Sequence, residues 1–323
     1  MNTTIAESHP ELFHYTGLQG LTGILTSQTL RATHALNLND KTEAIKFRDL
    51  LPEILRPAVS RGLRASSSQG LMETHGGIEA AIDEVATAIP TAIFQALLGT
   101  VHSQPSIDPF IISFSAPATP DIANHGLLSQ WRGYSQDGYA LVFDTDLLSA
   151  LLDQQAKTWS GDLFGGDVVY SSASTDELDQ EFGIFFADLR NAIEQWLTNP
   201  ANVELLEPTY PAIIQCACRY KDWSFFEEKE VRIIAIPTNR EIIQYQAMRG
   251  IHIPEITRKE FRRGNGTKAA YIDLFDGSER RLPVSRIIVG PYGDRTDRKR
   301  HVDSLLQQLG LDIPVTISDI PLV

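Results

Sequence analysis

The sequence predicts an α+β fold built on a mixed, mainly antiparallel sheet. Short β-branched and aromatic runs, such as PFIISFS at 109–115 and EEKEVRIIAIP at 227–237, read as buried strands. Segments of helical periodicity lie between such runs without a strand–helix–strand rhythm, which argues against a doubly wound parallel sheet. A content of 42% apolar and 21% charged residues is that of a chain able to bury a core.

Taken in order, LFHYTG at 12–17 is an aromatic strand closed by Gly17. Leu18, Leu21, Ile24 and Leu25 then recur at helical spacing. RATHALNLND at 31–40 reads as a polar turn. Residues 43–58 form an amphipathic helix with Ile45, Phe47, Leu50, Leu51, Ile54 and Leu55 on or near one face. The Ser- and Gly-rich stretch 60–77 reads as a flexible linker, and a largely apolar helix follows over 78–101. After the 109–115 strand, a turn at Gln136–Gly138 leads into a strand at Tyr139–Phe143, and GDVVYSS at 166–172 is a further one. Helices are expected over the acidic stretch 175–198, ending near Pro200, and over TYPAIIQCACRYK at 209–221. The 227–237 strand, AAYIDLF at 269–275 and SRIIVGP at 285–291 come next, then a helix at about 297–309 and a strand at VTISDI. No internal repeat is apparent, so the reading is one α+β domain over 1–323, with 43–101 as a helical insertion or cap.

Composition narrows the function classes. No stretch of about 18 uncharged apolar residues exists to span a membrane, and MNTTIAESHPEL lacks the features of a signal peptide. Two cysteines, Cys216 and Cys218, make no disulfide framework, so a reducing, cytoplasmic setting is expected. No Cys or His pair at ligand spacing accompanies them, and no metal is expected. A net charge of -13 opposes unspecific nucleic-acid binding by the whole surface. The charge is uneven: 240–300 holds 14 Lys/Arg against 8 Asp/Glu, about +6, and the remainder 14 against 33, about -19. The basic stretch reads either as a phosphate-facing surface or as a solvated loop.

Phosphate loops, dinucleotide fingerprints, the G-x-S-x-G elbow and the H-E-x-x-H helix are absent. Three clusters remain. His14, Tyr15 and Thr16 end the opening strand, where a histidine can hold a ribose hydroxyl or simply be structural. Ser113 and Ser115 are small hydroxyl residues on a central strand. Beyond them, Trp131 and Tyr134 could stack on a flat ring and Arg132 could grip phosphate, unless both aromatics belong to the core. Trp223, Glu227, Glu228, Glu230 and Arg232 form the third cluster, where strand alternation puts Glu228, Glu230 and Arg232 on one face. Paired carboxylates there suggest a site, and a Glu230–Arg232 or Glu230–Arg132 ion pair is the structural alternative.

Two resemblances follow from these residues. Phe13, Tyr15, Thr16, Leu18; Leu38, Asn39, Asp40, Glu43; Ser113, Phe114, Ser115; Trp131, Tyr134; and Glu228, Glu230, Arg232, Ile233 make a series that resembles a bacterial domain family of unknown function, from about residue 12 to 320. The order H-Y-T strand, G-L-x-x-I-L helix, S-x-S strand and late E-x-E strand is similar to ADP-ribosyltransferases. That likeness implies an ADP-ribosyltransferase-like sheet and an NAD-consuming enzyme that transfers ADP-ribose to a macromolecule or to water. His14 would hold the adenosine ribose, Tyr134 or Trp131 would stack on nicotinamide, Glu230 would be the catalytic carboxylate and Glu228 would face the acceptor. A phage-defence or toxin role is implied with it.

Two rivals stand beside this expectation: a non-catalytic nucleotide sensor in the same cleft, and a metal-dependent nucleic-acid enzyme using Asp40, Glu43 and Glu230 with the basic 240–300 stretch. The enzymatic expectation requires the opening strand and the late acidic strand to lie side by side, their polar side chains meeting around one dinucleotide.

Overall fold

The computed structural model describes residues 3–38, 43–68, 77–98, 108–133, 138–172, 175–262 and 266–321. The elements begin with α1 (Thr3–Ser8), β1 (Glu11–Thr16), α2 (Leu18–Ser27), β2 (Leu30–His34), α3 (Glu43–Ser68) and α4 (Ile78–Leu98). Next come β3 (Phe110–Ser115), α5 (Pro120–His125), α6 (Leu128–Gly133), β4 (Tyr139–Asp144), α7 (Thr145–Ala156), β5 (Gly161–Asp167), β6 (Val169–Ser171) and α8 (Thr175–Thr198). The chain continues through α9 (Tyr210–Arg219), β7 (Tyr220–Asp222), β8 (Glu230–Pro237), α10 (Arg240–Met248), β9 (Lys259–Arg262), β10 (Lys268–Leu274), β11 (Val284–Val289), α11 (Arg295–Leu309) and β12 (Val315–Ile317).

The class is α+β. Among the described residues the main sheet has ten strands, and of their pairings only β11 with β12 is parallel. Contacts divide the chain into two compact units, one of residues 1–34, 110–168 and 226–323, the other of 35–109 and 169–225.

The first unit holds the main sheet. Its order runs β12-β11-β4-β1-β3-β2-β10-β9, with β8 paired to β3 and β5 paired to β8. One edge of β3 is shared: β1 meets it at Phe13 opposite Ser115, and β2 meets it at Thr33 opposite Ile111 and His34 opposite Phe110. The stretch of β3 between those pairings bonds to neither strand as a ladder, so the sheet forks there. The other edge of β3 runs the full length of β8, from Phe110 opposite Ala235 to Ser115 opposite Glu230.

Alternation sorts the strands into two faces. Leu12, Ile112, Phe114, Leu141, Phe143, Val231, Ile233 and Ile287 pack one face against Leu21, Ile24 and Leu25 of α2, Leu148 and Leu151 of α7, and Val302 and Leu306 of α11. The opposite face carries a smaller cluster of Phe13, Tyr15, Trp131, Ala140, Val142 and Ile288. The helices start where their caps direct. Asp144 accepts from Leu147 N–H at 2.9 Å to open α7, and Asp294 accepts from Asp297 N–H at 2.9 Å to open α11.

The second unit is mainly helical. Phe47 of α3 lies at its centre, in ring contact with Phe94, Phe182, Phe186 and Tyr220. A short parallel pair, β6 with β7, is its sheet. Cys216 and Cys218 are buried on α9 outside any disulfide, and burial pushes the Cys216 thiol well up.

Several expectations are revised. The 31–40 segment is not all turn: its first residues, with Leu30, form β2, because pairing with β3 and β10 supplies what local propensity lacks. Residues 60–68, expected to be linker, are the last turns of α3, where Leu63 is buried and Ser66 donates to the Leu197 carbonyl at 2.5 Å. Residues 69–76 and most of the Gln136–Gly138 turn lie outside the described residues. The basic stretch contains a helix, α10, which Asn239 caps by accepting from Glu241 N–H at 2.8 Å.

Candidate functional site

The described candidate residues of the notable clusters all fall in the first unit, apart from Trp223. His14 lies at the fork. Its Nδ1–H donates to the Ser113 carbonyl at 3.1 Å, so the imidazole takes the place of a ladder bond where β1 departs from β3. The ring also leans on Phe114, with centroids 5.7 Å apart. Removal from water lowers the His14 pKa, and the Ser113 bond opposes this only in part. A neutral ring with Nδ1 donating keeps its Nε2 lone pair as an acceptor. His14 is half-buried, as is Thr16.

Helix α2 begins one residue beyond Thr16, on the face to which His14 points. Its N-cap, Gly17, offers no side-chain oxygen to the first-turn N–H groups. Gly20 has a defined role here: a Cβ on it would lie 2.0 Å from Thr16 Oγ1. The missing side chain lets the Thr16 hydroxyl rest over the first turn of the helix.

The second group lies across β3. Glu230 and Arg232 of β8 are both buried and form a two-pronged ion pair, Nε to Oε1 at 2.8 Å and NH2 to Oε2 at 3.1 Å. They stand opposite Ser115 and Ser113 respectively. Ser115 donates to the Glu228 carbonyl at 2.6 Å, tying β3 to the residues before β8.

The arrangement corrects three expectations. First, His14 and Glu230 do not meet. Strands β1 and β8 flank β3, roughly 10 Å apart at ordinary strand spacing. The two side chains also lie on opposite faces: His14 shares parity with Leu12 and touches Phe114, whereas Glu230 alternates with Val231 and pairs with Ser115 beside Phe13. The cleft expected to unite them is absent among the described residues. Second, Glu228 does not share a strand face with Glu230 and Arg232. Lys229 between them has φ of 43°, in the left-handed region, and breaks the alternation. Third, Trp131 offers no ring to a ligand. It is fully buried, its Nε1–H donates to the His125 carbonyl at 2.9 Å, and Tyr15 meets it edge-on at 4.8 Å. Gly126, at φ of 78°, comes so near that a Cβ there would lie 2.6 Å from the indole.

Tyr15 belongs with that indole rather than with a ligand. It is buried, its hydroxyl accepts from Leu127 N–H at 2.8 Å, and burial pushes the phenol well up. Arg132 is exposed near the end of α6, Ser113 is half-buried, and Tyr134 lies outside the described residues. For the metal reading, Asp40 lies outside the described residues, and Glu43 belongs to the second unit with its carboxylate 3.7 Å from Lys221 Nζ. The uncapped start of α2 and the role of Gly20 were not singled out from sequence, although the adjoining T-G-L-Q-G carried the signal.

The molecule is thus an α+β protein whose forked sheet holds one neutral histidine on one face and a buried ion pair on the other. A family model described as "Protein of unknown function (DUF2971)" matches residues 130–233, from just before Trp131 to Ile233 of β8. The match falls within the 12–320 span expected from the sequence and covers only part of it. No curated protein and no solved structure matches the chain.

Proposed function

We propose that the fork beside His14 binds a nucleotide, with NAD the ligand nominated by the resemblance to ADP-ribosyltransferases. One observation carries the reading: the His14 imidazole is held neutral and oriented by Ser113, which leaves Nε2 to accept a hydroxyl proton. A ribose hydroxyl is the donor such a group suits. Beyond Thr16, the first-turn N–H groups of α2 and its positive dipole end suit a phosphate. A nucleotide presents these two chemistries a few ångströms apart. The test is thermal unfolding with and without NAD, since a ligand of the native state raises Tm with concentration. NAD is expected to raise the Tm of the wild type and to leave His14→Ala unmoved. An equal rise in both would refute the site.

A second reading, NAD hydrolysis or ADP-ribosyl transfer to a macromolecule, is favoured by Glu230. A carboxylate fixed by Arg232 is preorganised charge of the kind that steadies an oxocarbenium-like state. Because Glu230 faces away from His14, this reading places the nicotinamide ribose on the Glu230 face without help from His14. Following nicotinamide release separates the two proposals. Release lost in Glu230→Gln and kept in His14→Ala supports the enzyme; binding without release supports the sensor. A role in phage defence or as a toxin belongs to the enzymatic reading, and growth on expression of wild type against Glu230→Gln tests it.

A further inference from the structure

Helix α10, like the shorter α5, has no buried residue. Ile242, Tyr245, Met248 and the following Ile251 recur every third position, and each is about half exposed or more, Met248 reaching 83%. The three on the helix form an apolar face open to solvent, and Ile251 follows just beyond the helix end. Arg249 follows the stripe, its guanidinium 5.7 Å from the Tyr245 ring centroid, whereas Arg240 at the helix start is paired with Glu255 at 3.4 Å. A lipid surface is a poor match, because the polar positions of the helix are Arg240, Glu241, Gln244 and Gln246 rather than a row of basic residues.

Helix α8 carries complementary chemistry. It has six carboxylates, Asp176, Glu177, Asp179, Glu181, Asp188 and Glu194, against one cation, Arg190. On its outer side Ile184 is 79% exposed. Glu181 and Asp188 flank it at one turn before and after, and no ion pair among the described residues engages either. Each helix thus shows an exposed apolar centre, one with the Arg249 guanidinium beside it and the other with acidic neighbours.

We propose that the chain self-associates, with the α10 stripe of one copy seated on the Ile184 face of α8 in another. Met248 and Tyr245 meet Ile184, while Arg249 meets Glu181 or Asp188. The contact joins two different surfaces, so every copy carries one of each and association continues past the dimer unless the rotation closes a ring. Exposed charges make it sensitive to salt, because screening sets in beyond about 10 Å at 0.1 M.

Sedimentation velocity over a range of concentrations tests this on the full chain. Wild type is expected to give species that grow with concentration and dissociate at high salt. Ile184→Lys and Met248→Glu are each expected to be monomeric, with unchanged Tm because both sites face solvent. Mixed one to one, the two variants keep one good surface apiece and are expected to form a dimer that grows no further. A monomeric wild type at every concentration overturns the proposal. So does a stable dimer of Ile184→Lys alone, which would mean an α10–α10 contact. Flotation of wild type, but not Met248→Glu, with anionic phospholipid vesicles while the protein stays monomeric would assign the stripe to membranes and overturn it equally.

Discussion

The two faces of the forked sheet put polar groups into the same three strands and treat them oppositely. On the face of Glu230 and Arg232, two charges are buried and engage each other through two hydrogen bonds. On the face of His14, a neutral ring makes one bond and keeps an acceptor in hand at a half-buried position. A buried charged pair is costly to leave incomplete, so its partners are committed to the fold. A neutral group with spare hydrogen-bonding capacity near solvent costs little to leave open, and such a position can await a ligand. Residue type alone would have ranked them the other way, since paired carboxylates attract more functional suspicion than a lone histidine.

Breaking the ion pair should give the largest effect. Arg232→Met leaves Glu230 buried with its main partner gone and is expected to cost about 3–5 kcal/mol in urea unfolding. Replacing both residues should cost less than the sum of the single changes, a coupling of about 0.5–3 kcal/mol. Strict additivity would show that the pair is not the structural unit described here.

Next comes the fork. Gly20→Ala places a methyl group on the Thr16 hydroxyl, and the forced shift is expected to cost about 1–3 kcal/mol and to weaken nucleotide binding. Normal stability together with normal binding would show that the close approach does not matter. Ser115→Ala removes one hydrogen bond to the Glu228 carbonyl and should cost about 0.5–1.5 kcal/mol with no change in binding, a control for the face that His14 does not share.

The smallest effect concerns pH. The His14 pKa is lowered on folding from its ordinary 6.5, so the unfolded chain holds the proton more readily. The stability linked to His14 is therefore fully present above pH 6.5 and is lost as pH falls through the lower folded value. His14→Gln should flatten that part of a Tm–pH profile. Identical profiles would mean that the imidazole is not desolvated as the fork implies.

Legibility from sequence followed the physics of each element. Strands such as β3, β8 and β11 declare themselves through β-branched runs, because they are buried among neighbours on both sides. Strand β2 carries Arg31, Thr33 and His34, and becomes a strand only through its partners. The Glu230–Arg232 pair could be foreseen as one alternative, since residues two apart on a strand share a face. That His14 and Glu230 point apart could not be foreseen. It depends on β3 lying between their strands and on the register Phe13 opposite Ser115 opposite Glu230, which no local pattern encodes. Trp131 shows the same limit, for an indole held against Gly126 reads in sequence like one held out to a ligand.

The interleaving of the chain has a consequence for biosynthesis. The helical unit is assembled from 35–109 and 169–225, and the sheet unit needs segments before, between and after them. On the ribosome, α3 emerges well before the α8 surface that packs on it, and β1 waits for β4, β8 and β11 before its sheet can form. Such long-range pairing slows folding and prolongs exposure of sticky surface. Neither half can be produced by trimming one end of the gene, and a nascent chain stalled before α8 holds neither unit complete, which makes this a protein for which holdase chaperones should matter during translation.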